Sequence, residues 1–279
     1  MKPPLFEYRR VQSIAQATEW LHEQGDEARI LAGGQSLVIL LNMRLAQPGV
    51  LLDISGCAEL DYVREQDGFV RVGASTTQAR LQAWSGLDAR LPLLAEAIPF
   101  ISHYQIRNRG TVAGSIAHAD PSAELALCLA TLDGQVVLRS RKATRVLQAG
   151  DFQQGLLTTA KRSDELITEV RFPVAQPGCG YAFDEFSLRR GDFAIVACAA
   201  QASEDGIRIG VGGVADKPVV ARWPRMGDDA LRQHLNDLAW QLQAQDDQHA
   251  TAAYRRQLVR QLGLKVIQAA QRRGNTQKD

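Results

Sequence analysis

The sequence predicts a mixed α+β protein in two parts, and three observations lead to this prediction. The chain has 279 residues, which corresponds to about two domains at roughly 150 residues each. Hydrophobic residues make up 45% and charged residues 23% of it, as in ordinary globular proteins. Helix-like and strand-like segments alternate, and the composition changes to Pro and Gly around residues 174–180 (VAQPGCG). We therefore expect the boundary between the two parts there.

The first part begins with a helix and continues with short strands. Ile14, Ala17 and Leu21 have helical spacing, and Gly25 follows as a stop signal. The Asp67-Gly68 pair between two alternating segments predicts a hairpin. The remaining predicted elements are strands at 28–32 and 50–54, hairpin strands at 62–66 and 69–72, helices at 76–84 and 91–98, a loop at 107–114, a helix at 121–132 with a proline in its first turn, and strands at 135–139 and 165–172.

The second part has a simpler pattern. Three strand candidates, at 181–188, 194–203 and 207–214, precede two helix candidates, at about 227–244 and 249–272. Strands followed by helices indicate that this part is itself α+β.

Charge, hydropathy and cysteine spacing exclude several classes of protein. The formal net charge is +1, whereas nucleic-acid binding needs clustered Lys and Arg, so we expect no nucleic-acid partner. The longest apolar run, Leu37 to Leu41, is far shorter than the ~20 residues of a membrane span, so we expect no membrane insertion. The N-terminal segment MKPPLFEYRR lacks the apolar stretch of a signal peptide. Four cysteines lie far apart, which predicts reduced thiols in a cytoplasmic protein.

Several catalytic motifs fail at a required position. Residues 34–38 (GQSLV) begin like the G-x-S-x-G of hydrolases, but Val38 replaces the final glycine. The sequence has no P-loop motif, and its five histidines are dispersed, so we predict no metal site. Residues 210–215 (GVGGVA) fit G-x-G-x-x-[GA], but the segment DKPVV that follows cannot begin a helix cleanly. We therefore predict a strand end there instead of a Rossmann site.

A first glycine loop, LAGGQSL at 31–37, lies between a predicted strand and a predicted helix. Gly33 and Gly34 permit positive φ and a close approach of a ligand to the backbone. Successive N–H groups in such a loop can bind an anion, and Ser36 adds a hydroxyl donor. The alternative is a tight turn with a helix cap.

A second glycine loop, RNRGTVAGS at 107–115, combines small residues and hydroxyls with flanking arginines, which again suits phosphate. Asp120 and Glu124 follow it and supply oxygen acceptors. This order suits a ligand with phosphates at one end and hydroxyls next to them. The alternative is that Asp120 caps the helix predicted at Pro121, and it could do both.

Four blocks occur in a characteristic order: ARILAGGQSL with NMRLAQPGVLLDI, then IRNRGTVAGSIAHADPSAEL, then FSLRRGDFAI, then AAYRRQLVRQL. Together they resemble the FAD-binding (medium) subunit of bacterial molybdenum hydroxylases, the xanthine dehydrogenase and carbon monoxide dehydrogenase family. The resemblance covers nearly the whole chain. It implies an FAD-binding clasp of the vanillyl-alcohol oxidase (PCMH) type at 1–175, with subdomains at about 1–55 and 56–175. A C-terminal α+β domain at 176–279, with a three-stranded antiparallel sheet, would follow.

The resemblance also implies which residues bind FAD. The two loops would hold the pyrophosphate, and apolar side chains would lie against the isoalloxazine ring, although plain core packing is an equal alternative for those side chains. The implied cofactor-binding residues are Ala32, Gly33, Gly34, Gln35, Ser36, Leu37, Ile101, Thr111, Ala113, Gly114, Ser115, His118, Asp120, Glu124, Leu166, Ile167 and Glu185. No catalytic residue is implied, because these residues bind, orient and tune the flavin.

Three residues depart from the family pattern. Gln35 stands where relatives often have His, and Glu185 stands where some have Lys near the flavin. A carboxylate there would not stabilise an anionic reduced flavin, which affects the expected flavin potential. Ala113 stands where many relatives have Gly; a left-handed backbone would cost it roughly 1–2 kcal/mol, so we expect ordinary backbone geometry. No cysteine-rich insertion is present, so FAD should be the only redox centre of this chain.

By resemblance, the chain would be one subunit of a heterotrimer, with a dimer of heterotrimers expected. A large molybdopterin subunit would oxidise the substrate, and a small subunit would relay electrons through [2Fe-2S] clusters to FAD and then to an acceptor such as NAD or O₂. One hypothesis is that the basic C-terminal helix helps to dock the partner subunit through Arg255 and Arg256, among other cations. The alternative is that these charges only form a solvent-exposed helix face. The alternatives to this function are a self-contained flavin-dependent oxidase or dehydrogenase of the same fold, and a flavin-free structural subunit.

Overall fold

The computed structural model describes residues 2–276, which contain eleven α-helices and fourteen strands. The helices are α1 (Ile14–Gln24), α2 (Leu37–Asn42), α3 (Gln78–Gln82), α4 (Leu87–Arg90), α5 (Pro92–Ala97), α6 (Tyr104–Arg107), α7 (Val112–His118), α8 (Glu124–Thr131), α9 (Ala149–Phe152), α10 (Asp228–Gln241) and α11 (Ala252–Thr276). The strands are β1 (Glu7–Arg10), β2 (Ala28–Leu31), β3 (Val50–Asp53), β4 (Val63–Gln66), β5 (Phe69–Gly73), β6 (Gln135–Arg139), β7 (Thr144–Gln148), β8 (Gln153–Gly155), β9 (Thr158–Thr159), β10 (Leu166–Pro173), β11 (Gly180–Phe186), β12 (Val196–Ala202), β13 (Ile207–Gly212) and β14 (Val219–Trp223). The predicted mixture of helices and strands is confirmed. Among residues 2–276, no helix has both the length and the apolar character that crossing a membrane requires.

The N-terminal sheet is parallel, with the strand order β1-β3-β2. Helix α1 packs against β2 and β3. It begins after Ser13, whose hydroxyl accepts a hydrogen bond from the N–H of Gln16 at 3.1 Å, a favourable N-cap. Because the strands are parallel, their carboxyl ends share one edge of the sheet, and the chain leaves β2 at that edge into the first glycine loop. Ligands commonly bind at this edge of parallel sheets.

The central sheet is antiparallel, with the order β4-β5-β10-β6-β7. The turn between β4 and β5 has φ of 53° at Asp67 and 76° at Gly68. Two successive positive φ values are what a two-residue hairpin turn requires. The predicted hairpin is therefore confirmed.

The C-terminal sheet is antiparallel, with the order β11-β12-β13-β14. Helix α8 packs on one face of it, and α11 packs on the other. Alternate residues of β11 face opposite layers: Phe183 belongs to the main hydrophobic core, and Ala182 belongs to a second core under the C-terminal helices. Both faces of this sheet are thus covered by helices.

The expectation of a three-stranded C-terminal sheet was wrong, because β14 adds a fourth strand next to β13, with Ala221 opposite Ile209. Strand β14 is a half-exposed edge strand that follows Pro218, so it lacks the continuous apolar run of a buried strand. The segment after Gly212 turns into this strand and not into a helix. The predicted strand end at 210–215 is confirmed.

Other boundaries also differ from the prediction. The edge strands β1 and β7 were not predicted, since their side chains are largely exposed. Helix α7 begins inside the predicted loop, and α8 begins at Glu124 instead of Pro121. The carbonyl of Pro121 accepts a hydrogen bond from the N–H of Gly213 at 2.9 Å. This contact with the end of β13 holds Pro121 in a turn before the helix.

A close contact between β11 and α11 gives a first testable prediction. A Cβ atom at Gly180 would lie 1.8 Å from the carbonyl oxygen of Ala270, which is backbone and cannot rotate away. We expect Gly180→Ala to lower the free energy of unfolding by about 1–3 kcal/mol, as overpacking does. Thermal unfolding of the variant measures this loss. Gly155→Ala, where no atom lies within 4 Å of the added carbon, is the control; equal melting temperatures of the two variants would contradict the prediction.

Candidate functional site

The first glycine loop connects β2 to α2 at the carboxyl edge of the parallel sheet. Gly34 has φ of 73°, a conformation that favours glycine. The side-chain amide of Gln35 donates a hydrogen bond to the carbonyl of Gly33 at 3.1 Å. Within the described part of the chain, none of the backbone N–H groups of residues 33–37 donates to a protein acceptor. The loop therefore presents consecutive free donors, as an anion-binding nest does.

The two glycine loops meet in the folded chain. A Cβ atom at Gly33 would lie 2.1 Å from the carbonyl oxygen of Arg109 and 2.8 Å from Cα of Gly110. Only glycine can occupy position 33 without moving the second loop. The sequence predicted a shared role for the loops, and the structure brings them into direct contact.

The second glycine loop is held in place by the segment before α3. The N–H of Gln78 donates to the carbonyl of Gly110 at 2.8 Å, and the N–H of Val112 donates to the carbonyl of Thr76 at 3.1 Å. These supporting residues were missed by the sequence analysis, because nothing local marks a contact between segments so far apart in the chain.

Helix α7 begins directly after this loop. The hydroxyl of Thr111 caps it by accepting a hydrogen bond from the N–H of Gly114 at 2.9 Å. Ala113 lies in the first turn, outside the residues with positive φ, so the expectation of ordinary backbone geometry is confirmed. Ser115 follows in the same helix, half-buried. The helix uses Thr111 as its cap and leaves Ser115 available near the loop.

The chain turns sharply after α7. His118 is the last residue of the helix, and Ala119 has φ of 53°. A carboxylate oxygen of Asp120 accepts a hydrogen bond from the N–H of Ser122 at 2.8 Å. Asp120 therefore stabilises a turn and does not cap α8, whose N-cap position is Ala123. The other carboxylate oxygen of Asp120 has no hydrogen bond to a described residue and can accept one from a ligand.

Two carboxyl groups with raised pKa values lie beyond this turn, the half-buried Glu124 and the buried Glu185. Burial, with Asp120 as a smaller contribution, raises the pKa of Glu124 to about 7. Burial, followed by the charges of Glu124 and Asp184, raises the pKa of Glu185 to about 8. Both oxygens of Glu185 are buried and lack a hydrogen-bond partner among residues 2–276. Glu124 is thus close enough for its charge to contribute to the raised pKa of Glu185.

The predicted ring-contacting side chains are all buried. Ile101, Leu166 and Ile167 belong to the main hydrophobic core and are 7%, 2% and 5% exposed. A guanidinium N–H of Arg107 donates to the carbonyl of Ile101 at 2.7 Å and fixes that segment. Core packing accounts for this burial, so contact with a flavin ring stays a prediction for these three residues. Ala32 and Leu37, at the ends of the first loop, are half-buried.

The docking hypothesis for the basic helix α11 loses its main support. Arg255 is buried and donates to the carbonyls of Ile195 and Gly213 at 2.6 and 2.7 Å. Most of the other cations on this helix also have partners inside the chain: Arg256 stacks on Trp240, Arg260 bonds Asn236, Lys265 pairs with Asp184, and Arg273 pairs with Glu96. These side chains therefore serve mainly to hold α11 against the rest of the chain.

The residues present fit a dinucleotide that carries a pyrophosphate. The free donors of residues 33–37 suit its charged centre, and the joined loops place them beside the capped start of α7. Contact between Glu185 and this ligand stays a prediction, since both of its carboxylate oxygens are buried. Within residues 2–276, no group of His, Cys, Asp or Glu is arranged to hold a metal ion.

Fold and loops together define a flavoprotein of the FAD-clasp class. The family model described as "FAD binding domain in molybdopterin dehydrogenase" matches residues 4–175. The chain belongs to this family, and the recognition of it from the four sequence blocks is confirmed.

Relatives extend the similarity over the whole chain. The chain is 42% identical over 200 residues to the 6-hydroxypseudooxynicotine dehydrogenase complex subunit alpha of Paenarthrobacter nicotinovorans, covering 72% of this chain and 68% of that one. It is 32% identical to the glyceraldehyde dehydrogenase medium chain of Sulfolobus acidocaldarius, covering 96% and 99%. A solved structure of carbon monoxide dehydrogenase from Hydrogenophaga pseudoflava superposes with a TM-score of 0.92 at 31% identity, covering 98% and 99%. The predicted PCMH-type fold, the FAD cofactor and the oxidoreductase class are thereby confirmed.

Proposed function

We propose that this chain is the electron-transfer flavoprotein of a heterotrimeric molybdenum hydroxylase. Electrons from [2Fe-2S] clusters of a small partner subunit would reach FAD on this chain and leave to an external acceptor such as NAD or O₂. A large partner subunit would carry the molybdopterin cofactor, and two heterotrimers would associate. The observation that carries this proposal is the row of free N–H groups at residues 33–37, placed against the second glycine loop.

The residues of the chain would bind FAD from several sides. The N–H groups of the first loop would hold the pyrophosphate. Ser36 would add its hydroxyl group, which makes no capping hydrogen bond to α2 and is therefore free to donate. Asp120 would accept hydrogen bonds from the hydroxyls. When bound, FAD accepts electrons from one donor and passes them to another. The protein's part is to position the flavin and to exclude water.

The names of the relatives support a multi-subunit assembly. They include a "medium chain" and a subunit of a "dehydrogenase complex". We propose a cytoplasmic complex, in agreement with the free, buried cysteines.

We also propose that residues 1–175 form the FAD-binding domain, with subdomains at about 1–55 and 56–175, and that residues 176–279 form the C-terminal domain.

The test is purification of the tagged full chain from its native host, followed by cofactor quantification. With two [2Fe-2S] clusters on the small subunit, we expect about one FAD, about four iron atoms and about one molybdenum per copy of the chain. FAD with no iron or molybdenum, together with steady oxidation of an organic donor by the chain alone, would favour a self-contained flavin enzyme. Copurified iron and molybdenum without flavin would indicate a structural subunit and contradict the proposal.

A further inference from the structure

One face of the central sheet carries a row of three arginines. Arg64 on β4 lies directly opposite Arg71 on β5, and Arg71 lies directly opposite Arg171 on β10. Residues that are directly opposite each other in an antiparallel sheet point to the same face, with Cβ atoms about 4.5–5.5 Å apart, and like charges in this arrangement repel each other. The row is therefore a concentrated positive charge that needs compensation.

The face that carries this row is not the face that packs on the core. Val170 precedes Arg171 and points the opposite way, into the main hydrophobic core. Among the described helices, α1, α7 and α9 have the main contacts with this sheet, and their buried apolar residues belong to that same core. Val146 of the edge strand β7 aligns across the sheet with Glu169, on the face of the arginines, and is 44% exposed. This outer face of the central sheet is thus open to solvent.

Two carboxylates compensate part of the positive charge. Glu169 is buried and lies two residues before Arg171 on β10, so it points to the outer face. Its oxygens accept hydrogen bonds from Nε of Arg171 at 2.5 Å and from the hydroxyl of Tyr62 at 2.7 Å. Asp67 pairs with Arg71 but is 68% exposed, so solvent weakens this pair. The positions that continue the row on β6 and β7 are glutamines. Three cations therefore share one buried and one exposed acid.

The arginines keep donors available for a further acid. Both terminal nitrogens of Arg171 lack a hydrogen bond within the described chain, and neither is among its buried unpartnered atoms, so solvent reaches them. Arg64 is 55% exposed and approaches Glu169 only to 3.8 Å. The ring of Tyr62 supports Arg64, whose guanidinium carbon lies 4.4 Å from the ring centroid. The donors are thus held in place before a partner binds, which lowers the entropic cost of binding.

The shape and composition of the outer face fit a protein partner. Small ligands favour concave sites, whereas this row lies across the face of a sheet. Arginine and tyrosine are enriched where the binding energy of protein interfaces concentrates. A guanidinium group can donate two parallel hydrogen bonds to a carboxylate. An acidic side chain of a partner is therefore the occupant that this charge pattern favours.

We propose that the outer face docks an acidic surface of a partner subunit, whose carboxylate is bound by Arg64 and Arg171. This inference rests on the heterotrimer proposed above. The partner's carboxylate supplies the negative charge that Glu169 and Asp67 leave uncompensated. The same excess of positive charge speeds the encounter with an acidic partner.

The experiment uses the complex purified through the tagged full chain, and mass photometry over a dilution series measures its dissociation constant. We compare wild type, Arg64→Glu and the control Arg222→Glu. Arg222 is 59% exposed and pairs with Asp133, and it lies on β14, so the control makes the same charge change on another sheet. We expect Arg64→Glu to raise the dissociation constant about thirtyfold or more, because an acid then faces the partner's acid. The control should match wild type, and the FAD content should be equal in all three.

The outcomes separate this docking role from the proposed function. An Arg64→Glu complex as stable as the control would overturn the docking role alone, whereas a wild-type chain without partner subunits would contradict the heterotrimer and the docking role together. If Arg64→Glu does not fold, Arg64→Gln decides, since it removes the cation without adding an acid. It should raise the dissociation constant about fivefold or more, and no change overturns the proposal.

Two further results would assign the outer face to another occupant. Inorganic phosphate that raises the melting temperature of wild type but not of Arg64→Gln, with assembly unchanged, would show a site for a free anion and overturn the docking role. Loss of the association between two heterotrimers, with each heterotrimer intact, would place a second copy of the chain on this face and overturn it as well.

Discussion

Replacing Gly33 with alanine is expected to abolish tight FAD binding. The added carbon would lie 2.1 Å from the carbonyl oxygen of Arg109, so the two glycine loops must separate. Overpacking of this kind costs about 1–3 kcal/mol, which corresponds to roughly 5- to 150-fold in the dissociation constant. The upper end is expected here, because the added carbon meets backbone atoms of Arg109 and Gly110, which cannot rotate away. The measurement is the FAD content of the purified protein and its affinity by fluorescence titration.

Gly150→Ala is the matched control for this prediction. Gly150 is an exposed residue of α9, and no atom lies within 4 Å of an added Cβ. The control should bind FAD like wild type and melt at the same temperature or slightly higher. If Gly33→Ala binds FAD as tightly as the control does, the contact between the loops is not required for the cofactor site.

Replacing Arg255 with alanine is expected to destabilise the C-terminal part strongly. Its guanidinium group donates to the buried carbonyl of Ile195 and the half-buried carbonyl of Gly213, and it also pairs with Asp247 at 2.5 Å. Each buried carbonyl left without a donor costs about 1–3 kcal/mol, so we expect a loss of roughly 3 kcal/mol. Thermal unfolding should shift downward by about 6–12 °C.

The neighbouring arginine is the natural comparison. Arg256 stacks on the partly exposed Trp240, with its guanidinium carbon 4.1 Å from the ring centroid. An exposed contact of this kind is worth about 0.5–1 kcal/mol, so Arg256→Ala should change the melting temperature little. Equal losses from the two substitutions would show that the hydrogen bonds of Arg255 to the strand ends contribute little.

Local signals in the sequence predicted much of the fold. The hairpin at Asp67-Gly68, helix α1 after Ser13 and strand β6 each depend on residues that are adjacent in the chain. The family resemblance then identified the cofactor, since four motifs in order carry information that no single loop contains. Glycine 33 was recognised as a site residue for its freedom of backbone conformation, although close packing is what the structure requires of it.

Features that depend on distant contacts were not predictable in this way. Strand β14 is defined by its pairing with β13, and the start of α8 is delayed by the hydrogen bond that the N–H of Gly213 donates to the carbonyl of Pro121. Arg255 was read as a surface charge because helical spacing alone does not show which face is buried. The missing hydrogen-bond partner of Glu185 is also a property of the folded chain only, since it depends on which segments pack around β11.

The layer formed by β11 to β14 makes the two halves of the chain depend on each other for solubility. Residues 125–131 of α8 are all buried, and the sheet that helps to cover them comes entirely from the part of the chain after residue 179. A polypeptide cut at residue 175 would leave this apolar helix uncovered and prone to aggregation. The FAD-binding part of the chain therefore relies on a sheet from the C-terminal part to bury one of its own helices.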